Sequence, residues 1–159
     1  MIIRDVVGIA IVGAMLLMPV PVAAQATADP PNPLPTLKAL KCRFPVAGFG
    51  TWKAGEPVAQ TRTQEMSIQI DAIDVQDGTA QVTGTAGRVF VSAVLTGWSL
   101  YFVDNAVGQL NVTTVFAQET APKKLKAVHS RHGYLQMTVG RFVSEPSVSQ
   151  NYGECEISQ

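Results

Sequence analysis

The 159-residue chain is 47% hydrophobic and 15% charged, enough for one globular domain with a real core and too little for two. Lysine plus arginine equals aspartate plus glutamate at 12 each, and the charges are scattered singly, so no basic face is laid out for a phosphate backbone and nucleic acid is not expected as a partner. Lys123, Lys124 and Lys126, beside Pro122 in a polar stretch, suit a solvated loop better than a contact with an anionic surface.

Residues 1–26 carry the grammar of a signal peptide. Arg4 is followed by an apolar run from Val6 to Met18, then by Pro19, Pro21 and the small residues Val22-Ala23-Ala24-Gln25-Ala26 that a signal peptidase cleaves after. The run falls short of the roughly 20 residues of a membrane-spanning helix, so removal is expected rather than retention as an anchor, with no stable membrane span afterwards. No cysteine near the cleavage region offers a site for lipid. Export brings Cys42 and Cys155 into an oxidising compartment, periplasmic or extracellular, where two cysteines pair more readily than they persist as thiols or share a metal. Such a bridge is worth about 4 to 5 kcal/mol at most in the chain-entropy picture.

Residues 27–36 hold Pro30, Pro31, Pro33 and Pro35 and are expected to form a flexible, extended leader. A single β domain follows over residues 37–159. Cys42 to Val46 is a first strand. Met66-Ser67-Ile68-Gln69-Ile70-Asp71-Ala72 alternates with period two, with Met66, Ile68, Ile70 and Ala72 on the buried face. Gln76-Asp77-Gly78 is hairpin chemistry leading into Ala80 to Thr83. After a turn at Ala86-Gly87, the near-continuous apolar run Arg88 to Leu95 predicts a central strand covered on both faces. Gly97 and the Asp104 to Gly108 stretch turn the chain into strands at Trp98 to Val103 and Leu110 to Phe116. Gln118 to Lys124 reads as a loop, Leu125 to Ser130 and Tyr134 to Val139 as two strands separated at Gly133, Ser144 to Gln150 as a loop, and Tyr152 to Ile157 as the last strand. The inferred disulfide brings that last strand beside the first. The expected fold is all-β: an antiparallel meander of about eight or nine strands closing as a small barrel, in preference to a two-sheet sandwich.

The densest polar cluster is His129-Ser130-Arg131-His132, which holds both histidines. On a strand, His129 and Arg131 share one face and Ser130 and His132 the other, so the imidazoles do not converge on a metal, and two histidines alone make a poor zinc site. No metal or other cofactor is expected. Ser130 with His129 or His132 is a conceivable nucleophile and base, but no Gly-x-Ser-x-Gly elbow surrounds it, and Arg131 paired with Glu145 or Glu154 in a structural network fits better. Asp71, Asp74 and Asp77 read as turn and surface acids, the glycines form no phosphate-binding series, and Asn111-Val112-Thr113 is a chance match to a glycosylation acceptor. Trp52 is placed to plug a barrel end or to line its mouth, plugging being favoured.

Gly50-Thr51-Trp52 resembles the Gly-x-Trp signature near the first strand of lipocalin-like barrels, although the Thr-Asp-Tyr motif of that family is absent. The segments Asn111 to Phe116, Ala127 to His132 and Ser149 to Cys155, with one cysteine near each domain end, resemble a group of small exported bacterial all-β proteins with no assigned activity. That resemblance spans most of Cys42 to Cys155 and implies the periplasm. The function expected is non-enzymatic binding of a small molecule or an envelope protein, with Trp52, His129, Arg131, His132 and Tyr152 as candidate binding residues. The alternatives are a small hydrolase built on the histidine cluster and a pocketless interaction module marked by exposed Tyr101, Val103 or Phe90.

Overall fold

In the computed structural model, which describes residues 31–138 and 142–158, eight strands follow one another along the chain. They are β1 (Ala39–Lys53), β2 (Glu56–Asp74), β3 (Thr79–Gly84), β4 (Gly87–Thr96), β5 (Ser99–Ala106), β6 (Gln109–Ala121), β7 (Lys124–Thr138) and β8 (Phe142–Ser158). Each pairs antiparallel with the next and β8 returns to β1, so the meander closes as a barrel rather than dividing into two sheets. Closure leaves most backbone donors and acceptors paired and removes the exposed edges that invite aggregation. The signal-like residues 1–26 lie outside the described part. Within it, no helix is long and apolar enough to cross a membrane.

The β2–β3 turn falls where the sequence places it. Asp74 Oδ1 accepts hydrogen bonds from the amides of Gln76 and Asp77 at 2.9 and 3.0 Å, which fixes the β2–β3 turn and holds the Asp74 carboxyl below its ordinary pKa. The β1–β2 turn consists of Ala54 and Gly55 alone, both with positive φ (52° and 86°), as a tight two-residue hairpin requires.

Several expectations are corrected. Gly133 does not turn: β7 runs unbroken through it, paired with Gln109 on one side and Ser147 on the other, so two expected strands are one. Ser144 to Gln150 is part of β8, not a loop; of the expected loop Gln118 to Lys124 only Pro122 and Lys123 lie outside the strands, although the β6–β7 register is broken by bulges between Val115 and Ala121. Ala72 leaves the inward row because it forms a bulge with φ 50°, which turns Ile73 inward to 1% exposure. Arg88 to Leu95 is not covered on both faces: Val91 and Ala93 are buried, whereas Phe90 is 79% exposed. A barrel has only one inside, so an apolar run on one of its strands necessarily puts half its side chains outside.

One end of the barrel is closed by apolar packing. Leu40, Phe44, Ile70, Leu100, Val115 and Leu125 are fully buried there. Leu34, from a short 3₁₀ turn (Leu34–Thr36), is equally buried in the same cluster, so this part of the proline-rich leader belongs to the core. Asn32 secures the turn, accepting from the Leu34 amide at 3.1 Å and donating to the Gly97 carbonyl at 3.0 Å. Full burial of each leucine contributes about 1.5 to 3 kcal/mol.

Cys42 and Cys155 are directly opposed across β1 and β8, with Cα atoms 3.9 Å apart, and are bonded as a disulfide that links positions 113 residues apart. Immediately above it β1 bulges at Phe44 and Pro45, where the missing proline N–H costs no ladder bond. Gly153 lies under this bulge, and a Cβ there would meet the Arg43 carbonyl and come within 2.7 Å of Phe44 Cα. Those atoms belong to a strand paired on both sides and cannot move aside. Gly153→Ala is therefore expected to cost at least about 3 kcal/mol in urea unfolding, the upper range of overpacking. Gly48→Ala, whose new methyl would have its nearest neighbour at 3.9 Å, is expected to cost under about 1 kcal/mol. Equal losses would disprove the close approach.

Candidate ligand site in the barrel lumen

The inward side chains change character along the barrel. On β6 the inward row runs Val115, Thr113, Asn111, Gln109 from the closed end to the open one; on β7 it runs Leu125, Ala127, His129, Arg131; on β8, Cys155, Gly153, Asn151, Ser149. Period two puts every second residue inside, so a strand alternating Gln-Leu-Asn-Val-Thr-Thr-Val presents polar groups inward at its mouth end and apolar ones outward. Above the apolar base the lumen is open, with a cavity of about 460 Å³. One wall, from β5 to β8, is polar. The facing wall, from β2 to β4, is apolar over Met66, Ile68, Val82, Val89 and Val91, and becomes polar only towards the mouth, at Arg62 and Gln64 of β2.

The polar wall is knit by hydrogen bonds. Gln109 Nε2 donates to Asn111 Oδ1 and Asn111 Nδ2 to Asp104 Oδ2, both at 2.9 Å. A 2.9 Å hydrogen bond joins Thr113 Oγ1 to His129 Nδ1, and the imidazole lies 6.1 Å from the Phe44 ring. Burial, reinforced by the charge of Arg131 and opposed by Asp104, lowers the His129 pKa, so the ring is neutral at pH 7. Asn151 is 3% exposed, and its Nδ2 donates to the His129 carbonyl at 3.3 Å. That bond orients the amide, because only the nitrogen can face a carbonyl, and it leaves Oδ1 buried without a partner. At the mouth, Arg62 donates to Gln64 Oε1 and its guanidinium stacks 4.0 Å above the Phe49 ring.

Of the residues singled out from the sequence, the lumen gathers His129 and Arg131. His132 and Tyr152 are not lining residues: both are exposed, on the outward faces of β7 and β8, in keeping with the strand alternation. Trp52 neither plugs the barrel nor lines the cavity. It is 45% exposed at the β1–β2 tip and borders a small outer cleft with Pro57 and Val58, while Leu34 and Leu37 fill the plugging role at the opposite end. Ser130 points away from His129, which rules that pair out as nucleophile and base. Glu154 is engaged by Lys124 at 2.7 Å and by Thr120 at 2.8 Å rather than by Arg131; the Glu145 side chain lies outside the described residues. Phe49, Arg62, Asp104, Asn111, Thr113 and Asn151 are lining residues that the sequence reading missed. The signal for Asn111 and Thr113 was present as the polar alternation Gln109, Asn111, Thr113; for Arg62 and Phe49 none was, because they lie in halves of β1 and β2 with no hydrophobic alternation of their own.

A larger depression, about 600 Å³, lies on the outer face around Lys41, Arg43, Ser67, Gln69 and Glu154. Arg43 is paired there with Glu65 at 2.9 Å and Lys124 with Glu154 at 2.7 Å, and Lys41 and Glu156 add one charge of each sign, which makes it a solvated surface of balanced charge. The rest of the outside differs. Val94, Tyr101, Thr114, Val128, Tyr152 and Val46 are partners in register and form an uncharged row across six of the eight strands. Among the described residues no group of histidine, cysteine and acidic side chains is suited to hold a metal. Comparison with protein-family models, curated proteins and solved structures gives no match.

The depressed His129 pKa has a defined consequence for stability. Below the ordinary value of 6.5 the unfolded chain binds a proton that the folded chain resists, so folding weakens as pH falls from 6.5 towards the folded-state value and levels off beneath it. The carboxylates lowered by their partners, Glu65 and Glu154, add their own loss only below about pH 4.5. In urea unfolding between pH 7 and 5, His129→Gln is expected to flatten the slope that the wild type shows. An NMR titration placing the His129 midpoint at or above 6.5 would contradict the buried, neutral imidazole.

Proposed function

We propose that the chain is an exported binding protein of the bacterial cell envelope, periplasmic in location, which takes a small ligand in the open half of its barrel. The observation that carries this is a cavity of about 460 Å³ with one polar and one apolar wall, lined among others by Asn151, whose buried Oδ1 has no hydrogen-bond partner. Small-molecule sites are typically concave, largely apolar cavities of this size with a few convergent polar groups. The signal-like residues 1–26 and the Cys42–Cys155 bridge support export. Phe90 and Val91, neighbours on β4 facing opposite sides, supply the test. Nile red, a neutral apolar dye, is expected to bind with enhanced fluorescence. Val91→Trp, which fills the lumen, should abolish the signal, whereas Phe90→Ser should retain it. The reverse pattern, or no dye uptake by the wild type, would refute a lumen site.

The uncharged outer row, together with the fully outward Phe90, favours a second reading: a self-associating interaction module of the envelope. On this reading the wild type sediments as a dimer at tens of micromolar and a Phe90→Lys, Val94→Lys variant as a monomer. A monomeric wild type at that concentration would dispose of it.

A further inference from the structure

We propose that the lumen ligand is an amphiphilic carboxylate: an apolar chain on the β2–β4 wall, a carboxylate at the mouth, and between them a hydroxyl that donates to Asn151. This rests on the lumen reading above and specifies the chemistry of the same site. Three features, at successive heights in the barrel, carry it.

The first is charge. Among the described lining residues the ionisable side chains are Arg62, Arg131, Asp104 and His129. Asp104 is engaged by Asn111, and His129 is held in its bond to Thr113. The two arginines both line the main cavity and a connected depression of about 320 Å³ at the rim, with Phe49 and Ser149. Arg131 has no hydrogen-bonding partner among the described residues. A mouth with two guanidinium groups and one engaged acid attracts anions, and the planar fork of arginine matches a carboxylate.

The second is the orphan acceptor. Asn151 is opposite His129 in the β7–β8 register, one inward step below the Arg131–Ser149 pair. Successive inward positions on a strand are about 6.7 Å apart, so a donor that reaches Oδ1 lies a few bonds from an anion held by Arg131. Because Nδ2 is committed to the His129 carbonyl, Oδ1 accepts only, and a ligand satisfies it with an O–H or N–H, not with a second carboxylate oxygen. The third is the apolar wall. Met66, Ile68, Val82 and Val91, with Phe102 beneath, offer no polar side-chain group to a ligand, and an aliphatic chain satisfies that surface at no desolvation cost.

Displacement of Nile red by three probes separates these features: 3-hydroxydecanoate, decanoate, which lacks the internal donor, and 1,3-decanediol, which lacks the anion. The wild type is expected to bind 3-hydroxydecanoate at least ~10-fold more tightly than either of the others. Asn151→Leu should erase the preference over decanoate while decanoate binding persists. Arg131→Gln, at an exposed position that folding does not depend on, should erase the preference over the diol. If Nile red binds but all three probes displace it equally, or none does, the ligand class is wrong and the lumen reading survives. If the dye itself fails to enter, both fall together. Retention of the hydroxyl preference in a folded Asn151→Leu protein would overturn the role given to Asn151.

Discussion

Everything in this molecule depends on the pairing of β1 with β8. Seven of the eight strand pairings join neighbours in sequence and form through short turns; the eighth brings together residues 113 apart and alone converts an open sheet into a container. Forming it is costly in loop entropy, and the chain offsets that cost covalently. The disulfide is placed at the bottom of the seam rather than at its rim, buried among core residues, and Gly153 sits directly above it so that the bulged β1 backbone can approach. From that point the ladder extends to Thr51 and Ser147 at the mouth. Both walls of the candidate site are therefore held in place by a seam that the disulfide staples.

The division of the lumen follows from the same geometry. The apolar base, capped by Leu34 and Leu37, stabilises the fold by excluding water. The upper half does not contribute in this way. Its polar groups need partners once buried, and they find them in each other: Gln109 to Asn111 to Asp104, and Thr113 to His129. Asn151 Oδ1 stands out against this background as a buried atom of a lining residue that has no partner. Stability at one end of each strand and recognition at the other is an economical use of strands 13 to 19 residues long, such as β1, β2 and β6 to β8, which are much longer than a packed core alone requires.

The fold was legible because its punctuation is local. Asp77-Gly78, Ala86-Gly87, Gly97 and Gly108 each mark a turn by chemistry that requires no knowledge of the rest of the chain, and the two cysteines indicated closure. What escaped was the part of each strand that the core does not select. Residues 47–65 lack hydrophobic alternation because their inward face looks into a polar mouth, and Ser144 to Gln150 resembled a loop because a strand facing that mouth has no reason to be apolar. The assignment of Arg88 to Leu95 as doubly buried failed for a related reason: a continuous apolar run is read as interior, whereas here Phe90 and Val94 belong to an outer band that the sequence does not distinguish from core. Of the candidate site, the facing of His129 and Arg131 followed from alternation alone. The same rule placed His132 outside, and grouping it with the lining residues disregarded that parity.

The outer band and the lumen make different demands on the same strands, and β4 shows how they coexist. Its inward residues Val91 and Ala93 complete the apolar wall and the base, while Phe90 and Val94, one position away from them, remain exposed. No packing requirement inside the barrel accounts for an aromatic ring exposed at 79%, since a serine there would leave the core untouched. The charged residues are confined largely to the β1–β3 side and the lower parts of β7 and β8, where Arg43, Glu65, Lys124 and Glu154 pair with one another. A barrel without further contacts gains from spreading charge around its circumference; this one keeps an uncharged row across six of its eight strands. The two readings of function are consequently not exclusive in physical terms, because a ligand in the cup and a partner on the neutral side would touch opposite faces of β4 to β8 without competing for a side chain.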